Sequence, residues 1–197
     1  MRIAALAYSL IEATDLAAWR RFAEGVAGFS AHPHPGGLAL RMDERAGRLF
    51  VVPGSTDRYA ASGWEISTEA QFTAAKAELA GHGVAVHQGS RDEIALRHVL
   101  DMVWFRDPSG NRHELALGYV SHFARFTSPA GVPRFVTGAL GYGHAVLPAP
   151  EIAATRAFLI EVMGLGLSDL MIHRPLGPTG PAMRIDFLHC EIGRAHV

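Results

Sequence analysis

His144 is the residue of this 197-residue chain whose setting says most about chemistry. It sits in Gly138-Ala-Leu-Gly-Tyr-Gly-His-Ala-Val-Leu147, a short apolar run entered through three glycines. An imidazole held on an apolar strand can bind a divalent metal or carry a proton. A lone histidine in such a run is more often a hydrogen-bonded core residue, and spacing alone leaves both readings open. Glu114 follows the turn Asp107-Pro-Ser-Gly-Asn-Arg-His and could reach a cleft. The expectation there is a solvated strand residue, because the natural partner position holds Tyr8, a poor ligand for a divalent ion. His113-Glu114 lacks the second histidine of a zinc-protease helix. Gly141-Tyr-Gly-His lacks the third glycine of a dinucleotide loop and precedes no helix. His189 and Cys190 are adjacent, and strand neighbours point to opposite faces, so they do not make a nucleophile and base. His173, beside Arg174-Pro175, reads as a surface residue.

The elements that must position His144 occur twice. Ala17-Ala-Trp-Arg-Arg-Phe22 aligns with Ala153-Ala-Thr-Arg-Ala-Phe158, and Val26-Ala-Gly-Phe29 with Val162-Met-Gly-Leu165, at a constant offset of 136. The same offset sets His144 on Tyr8. One copy of a duplicated unit therefore carries a histidine where the other carries a tyrosine, and that difference raises the weight of the metal-ligand reading. A repeat of this kind decides architecture before anything else.

In order, the pattern reads as a buried strand over 3–12, then a helix capped by Thr14 or Asp15 and ended by Gly28. His32-Pro-His-Pro-Gly-Gly37 reads as a loop. Strands follow at 38–43, 48–52 and about 60–66. Thr68 starts a second helix that stops at Gly81 and Gly83. A short strand covers 84–86, residues 91–100 are helical or irregular, and 102–106 with 113–117 form a hairpin. The fold expected is α+β, built from paired βαβββ modules. Residues 119–137 are a linker. The pattern restarts with a strand at 141–148, a helix at 151–163 and strands near 166–173 and 183–190. The division expected is 1–118, linker 119–137, a second and incomplete unit over 138–190, and a tail over 191–197.

The composition, 49% hydrophobic and 19% charged, is that of a soluble globular protein. A net charge of −1 gives no electrostatic reason to expect nucleic acid or an anionic membrane. No apolar run approaches the roughly 20 residues of a membrane helix. A single cysteine, Cys190, excludes an intrachain disulfide and is compatible with the cytoplasm.

Four separated stretches carry a resemblance over residues 1 to 190: Leu38-Ala-Leu-Arg-Met-Asp-Glu-Arg-Ala, Trp104-Phe-Arg-Asp-Pro-Ser-Gly-Asn-Arg-His-Glu-Leu, Phe135-Val-Thr-Gly-Ala-Leu-Gly-Tyr-Gly-His-Ala-Val-Leu and Phe187-Leu-His-Cys. The chain resembles a type I extradiol dioxygenase of the vicinal oxygen chelate superfamily, in the 2,3-dihydroxybiphenyl 1,2-dioxygenase group. The resemblance implies two domains of two βαβββ modules each. The first is structural, without a metal. The second holds Fe(II), with Mn(II) as an alternative, and opens a catechol ring with O₂. It makes His144 the first metal ligand. Val146 and Phe187 are implied substrate contacts, with core packing as the alternative for each, and His189, ahead of His173, is the implied proton-shuttling histidine. The second histidine ligand and the carboxylate would fall beyond Phe-Leu-His-Cys, where this chain has Glu191-Ile-Gly-Arg-Ala-His-Val197. That tail matches one reading frame of a common sequencing adapter and is expected to be non-native. The fragment is then expected to be inactive and short of two of three ligands, with its parent a homo-oligomer. Two other readings remain: a non-catalytic ligand-binding protein on the same scaffold, and a glyoxalase-like metalloenzyme.

Overall fold

β1 (Ala5–Ala13) and β5 (Arg58–Ile66) lie antiparallel at the centre of an eight-stranded sheet in this computed structural model, which describes residues 1–34 and 36–190. Outward from β1 come β4 (Leu49–Pro53), β3 (Gly37–Arg41) and β2 (Ser30–His34). Outward from β5 come β8 (Arg112–Leu117), β7 (Asp101–Arg106) and β6 (His87–Gln88). In each half the inner pair, β1–β4 or β5–β8, is parallel and the outer pairs are antiparallel. The sheet is one βαβββ module repeated about the β1–β5 seam. Its crossover helices are α1 (Leu16–Phe22) and α2 (Glu69–Gly81).

The structure supplies a strand that the sequence reading missed. His32–His34, expected as the start of a loop, belong instead to β2 (Ser30–His34), paired in register with β3. Pro33 is tolerated because β2 is an edge strand, where a missing N–H breaks no ladder. The short strand expected at 84–86 pairs instead two residues later, as β6. Residues Arg91–Arg97 form α3, opened by a capping box in which Ser90 and Glu93 each bond the other's backbone N–H.

The 136-residue repeat is also a structural repeat. α1 is capped by Asp15, whose carboxylate accepts from Ala18 N–H at 2.8 Å, and it widens into a π-helical turn over Ala23–Ala27. α4 (Ile152–Ala157) widens the same way over Phe158–Val162. Both stop at a glycine in the left-handed region, Gly28 at φ 76° and Gly164 at φ 74°, where a Cβ would be strained.

One face of the sheet buries Leu6, Trp64, Ile66, Phe105 and Leu115 against Phe72, Ala75 and Leu79 of α2, and against Leu159, Met163 and Leu165 that follow α4. The other face buries Tyr8, Leu10, Phe50, Met102 and Ala116 under Leu96 and Val99. Among the described residues, β9 (Gly166–His173) and β10 (Met183–His189) pair only with each other and leave Leu170, Met171, Ile172, Met183 and Phe187 exposed. The strand expected at 141–148 has no ladder among the described residues. It is an irregular segment, entered by a 3-10 turn at Gly138–Leu140 and carrying Gly141 at φ 74° and Gly143 at φ 120°. An extended chain becomes a strand only when neighbours take up its N–H and C=O groups. The tail from Glu191 to Val197, and what was expected of it, lies outside the described residues.

Candidate functional site

Two places deserve comparison, because the repeat sets Tyr8 of the first unit on His144 of the second. In the first unit, β1 is bulged at Ala7: Leu6 pairs with Trp64 but Tyr8 with Gly63. The extra residue lets Leu6 face the helices while Tyr8 faces the opposite side. The bulged Ala7 carbonyl accepts from Arg48 Nη1 at 3.1 Å, and Asp43 pairs with the same guanidinium at 2.7 Å. Gly63 has no Cβ to meet the Tyr8 ring.

Tyr8 then donates its hydroxyl to Glu114 Oε2 at 2.7 Å. Glu114, on β8, is fully buried, against the expectation of a solvated strand residue. It is buried because cations surround it. Arg97 at the end of α3 grips it with Nε at 3.0 Å and Nη2 at 2.8 Å. Arg112 Nε stands 2.8 Å from Oε1, close enough to act as a charge but not aligned as a hydrogen bond. Burial, then the Glu114 charge, push the Tyr8 phenol well above its ordinary pKa, so it remains a donor. Burial opposes the charge on Arg97, but Glu114 outweighs it and raises the pKa. The tyrosine that replaces histidine is thus part of a closed ion cluster, with a guanidinium lying against the carboxylate. No signal in the linear sequence ties Arg97 to Glu114; the tyrosine-for-histidine exchange was the only pointer.

The second place is more open. His144 is exposed, and its side chain makes no hydrogen bond or ion pair among the described residues. Val146 is 79% exposed. Tyr142 and Ala145, between and beside them, pack into the core of the first unit. On β10, Phe187 and His189 are two residues apart and share a face. The register shift there lies in β9, at Ser168, so the alternation of β10 is kept. Phe187 is 47% exposed, and His189 Nδ1 lies 2.6 Å from Ser168 Oγ. Cys190 packs toward the apolar core, consistent with opposite faces for the adjacent pair. His173 ends β9, exposed.

Phe187 and His189 are therefore together, and among the described residues nothing joins His144 to a second ligand. Among the described residues no three His, Cys, Asp or Glu side chains are grouped to hold a metal. An accessible imidazole suits a metal ion, but one donor does not make a site, and the described residues alone do not fit the group. No described helix is long and apolar enough to cross a membrane.

A family model described as "Dihydroxybiphenyl dioxygenase BphC D1" matches residues 6–54. An iron-dependent extradiol dioxygenase of Rhodococcus jostii (strain RHA1) is 39% identical over 173 residues, covering 87% of this chain and 57% of that protein. The 3-methylcatechol 2,3-dioxygenase of Pseudomonas putida strain F1 is 37% identical over 198 residues, covering 100% of this chain and 67% of that protein. Among solved structures, BphC, a halotolerant catechol dioxygenase, superimposes with a TM-score of 0.85 at 30% identity, over 96% of this chain and 62% of that one. The chain thus spans 57% to 67% of the length of these relatives. The fold is the vicinal oxygen chelate fold of paired βαβββ modules, and the Rhodococcus relative is iron-dependent. With a relative this similar across two thirds of its length, the chain belongs to the extradiol dioxygenase family.

Proposed function

We propose that the protein this chain represents opens catechol rings beside the diol, with O₂ as co-substrate and Fe(II) as the metal, Mn(II) being the alternative. Aryl-substituted or bicyclic catechols such as 2,3-dihydroxybiphenyl are the proposed substrates. The observation that carries the reading is family membership combined with the exchange of Tyr8 for His144 between copies of the repeat. The proposed division is a structural first domain over 1–118, a linker over 119–137 and the start of the metal-binding domain over 138–190. We further propose a cytoplasmic homo-oligomer.

In this reading His144 is one metal ligand, and the others lie outside the described residues. A metal held by His144 together with groups outside the described residues would supply the binding site for catechol and O₂. The chain's own part is binding and proton transfer. Phe187 offers its ring face to the substrate. His189 lies one pleat repeat away on the same face, about 7 Å along the strand, and would take or return the proton of the diol. Ser168 Oγ, 2.6 Å from Nδ1, fixes the orientation of that ring. Val146, two residues beyond His144 and exposed like it, is a proposed contact to the ring of the substrate. Residues 1–197 alone are proposed to be inactive, since one ligand does not hold a metal at useful affinity.

The test is an oxygen-uptake assay on the Fe(II)-loaded product of the complete reading frame, with 2,3-dihydroxybiphenyl and 3-methylcatechol. Stoichiometric O₂ consumption with a coloured ring-opened product, lost in His144→Ala, is expected. Substrate binding without O₂ uptake would overturn the reading in favour of a ligand-binding protein.

A further inference from the structure

We infer that the Asp107–Asn111 turn of the first unit is a clamp that positions the segment bearing His144. The inference deepens the proposed function and rests on it for its meaning, but the geometry stands by itself. Inside the turn, Asp107 N–H donates to Asn111 O at 3.0 Å and Gly110 N–H to Asp107 O at 2.9 Å. The Asp107 carboxylate accepts from Asn111 N–H at 2.9 Å and from Asn111 Nδ2 at 2.8 Å. His113 Nε2 is 3.2 Å from the same carboxylate, and His113 Nδ1 accepts from the Trp64 indole at 3.0 Å. With Nδ1 accepting, the ring carries its proton on Nε2 and donates it to Asp107. A buried chain from Trp64 through His113 and Asp107 therefore fixes the amide of Asn111.

That amide has two hydrogens. One is spent on Asp107. The other meets the Pro148 carbonyl at 2.9 Å. Ser109, in the same turn, accepts from Glu151 N–H at 3.2 Å, and its hydroxyl lies 2.7 Å from that of Thr155, which is buried. Pro148 and Pro150 lack N–H groups, so this stretch offers its carbonyls and the amides of Ala149 and Glu151, and the turn takes the Pro148 carbonyl and the Glu151 amide.

The other end of the segment is held by β1. Tyr142 N–H donates to Leu6 O at 2.7 Å. Gly141 takes φ 74° and lies so close that a Cβ would stand 2.5 Å from Leu6 O. Six residue steps separate the Tyr142 and Pro148 anchors, about 20 Å of extended chain. His144 lies between them in a stretch with no ladder of its own among the described residues. Where it stands is set by the first unit, through Leu6 on one side and Asn111 and Ser109 on the other.

Hydrogen–deuterium exchange with mass spectrometry on residues 1–197 tests this without metal, substrate or activity, so its failure is separate from failure of the proposed function. In Ser109→Ala/Asn111→Ala, peptides covering 141–156 should exchange about tenfold faster, with β5 and β8 peptides unchanged. Ser109→Ala alone leaves every bond inside the turn intact and should give part of that effect, and Ser109→Thr, which keeps the hydroxyl, should restore parent exchange. Unchanged exchange over 141–156 in the double variant would overturn the clamp. So would acceleration shared equally by β5 and β8, because the turn would then serve only the sheet.

Discussion

Glu114→Gln removes one negative charge from a cluster built around two arginines, and it should be among the most destabilising single changes in the first unit. The parent carboxylate is fully buried and takes two hydrogen bonds from Arg97, one from Tyr8 and the close charge of Arg112. Arg97 is itself buried, so its guanidinium cannot turn to water when the charge goes. Breaking a buried pair from one side costs about 3–5 kcal/mol. The glutamine oxygen can still accept one bond, which sets the expectation at about 3 kcal/mol, near the lower end. Urea unfolding followed by tryptophan fluorescence reads this directly. With a slope of roughly 1–3 kcal/mol per molar, the midpoint should fall by about 1–3 M. The triple change Tyr8→Phe, Arg97→Leu, Glu114→Leu removes the carboxylate with the two groups hydrogen-bonded to it, leaves Arg112 paired with Glu93 at 2.7 Å, and should recover most of the loss, because no buried charge is then left alone. A Glu114→Gln midpoint equal to the parent would refute the reasoning. A triple variant as unstable as the single would show that packing, not the unpaired guanidinium, sets the cost.

Acid should loosen the surface where His32, His34, His98 and His122 meet in ring pairs 5.0 Å and 5.5 Å apart. Burial first, then neighbouring Arg41 and His122 for His32 and neighbouring His34 and His122 for His98, hold both pKa values below 6.5. The unfolded chain therefore takes up more protons as pH falls, so stability present above about pH 6.5 is lost below it; a fall in urea midpoint from pH 7.5 to 5.5 as large in His32→Gln/His98→Asn as in the parent would contradict this. Gly63→Ala would drive a methyl into the Tyr8 ring and should cost about 1–3 kcal/mol by thermal melting, with no loss expected only if the ring can move aside. Trp64→Phe leaves His113 Nδ1 without its donor inside the core and should cost about 1–3 kcal/mol, whereas the same change at the half-exposed Trp104 should cost less by the same melt.

Much of the architecture is legible in the sequence because it is local or repeated. The 136-residue offset aligns α1 with α4 down to the π-helical turn and the stopping glycine, since each depends on residues within a few positions. β9 and β10 fall where alternation and the intervening breakers put them. What the sequence hides is non-local. His-Pro-His-Pro reads as a loop because proline breaks ladders, and only the position of β2 at the sheet edge makes it a strand. Residues 141–148 read as a strand because they are apolar and short, but a strand also needs partners, and periodicity carries no information about those. Glu114 reads as solvated because charged residues usually are; Arg97, 17 positions away, reverses that. At the candidate site, the histidine-for-tyrosine exchange was visible and its structural support was not. Asn111 and Ser109 look like turn residues and are also the contacts that hold the next unit.

The measurement that tests the central claim most directly is an anaerobic Fe(II) titration of the complete-frame protein beside its His144→Ala and Tyr8→Phe variants. The account predicts one iron per chain in the parent and in Tyr8→Phe, and loss of binding in His144→Ala with the fold intact by circular dichroism. Full iron occupancy in His144→Ala would contradict it, because the metal would then be held without the residue that sets the two copies of the repeat apart.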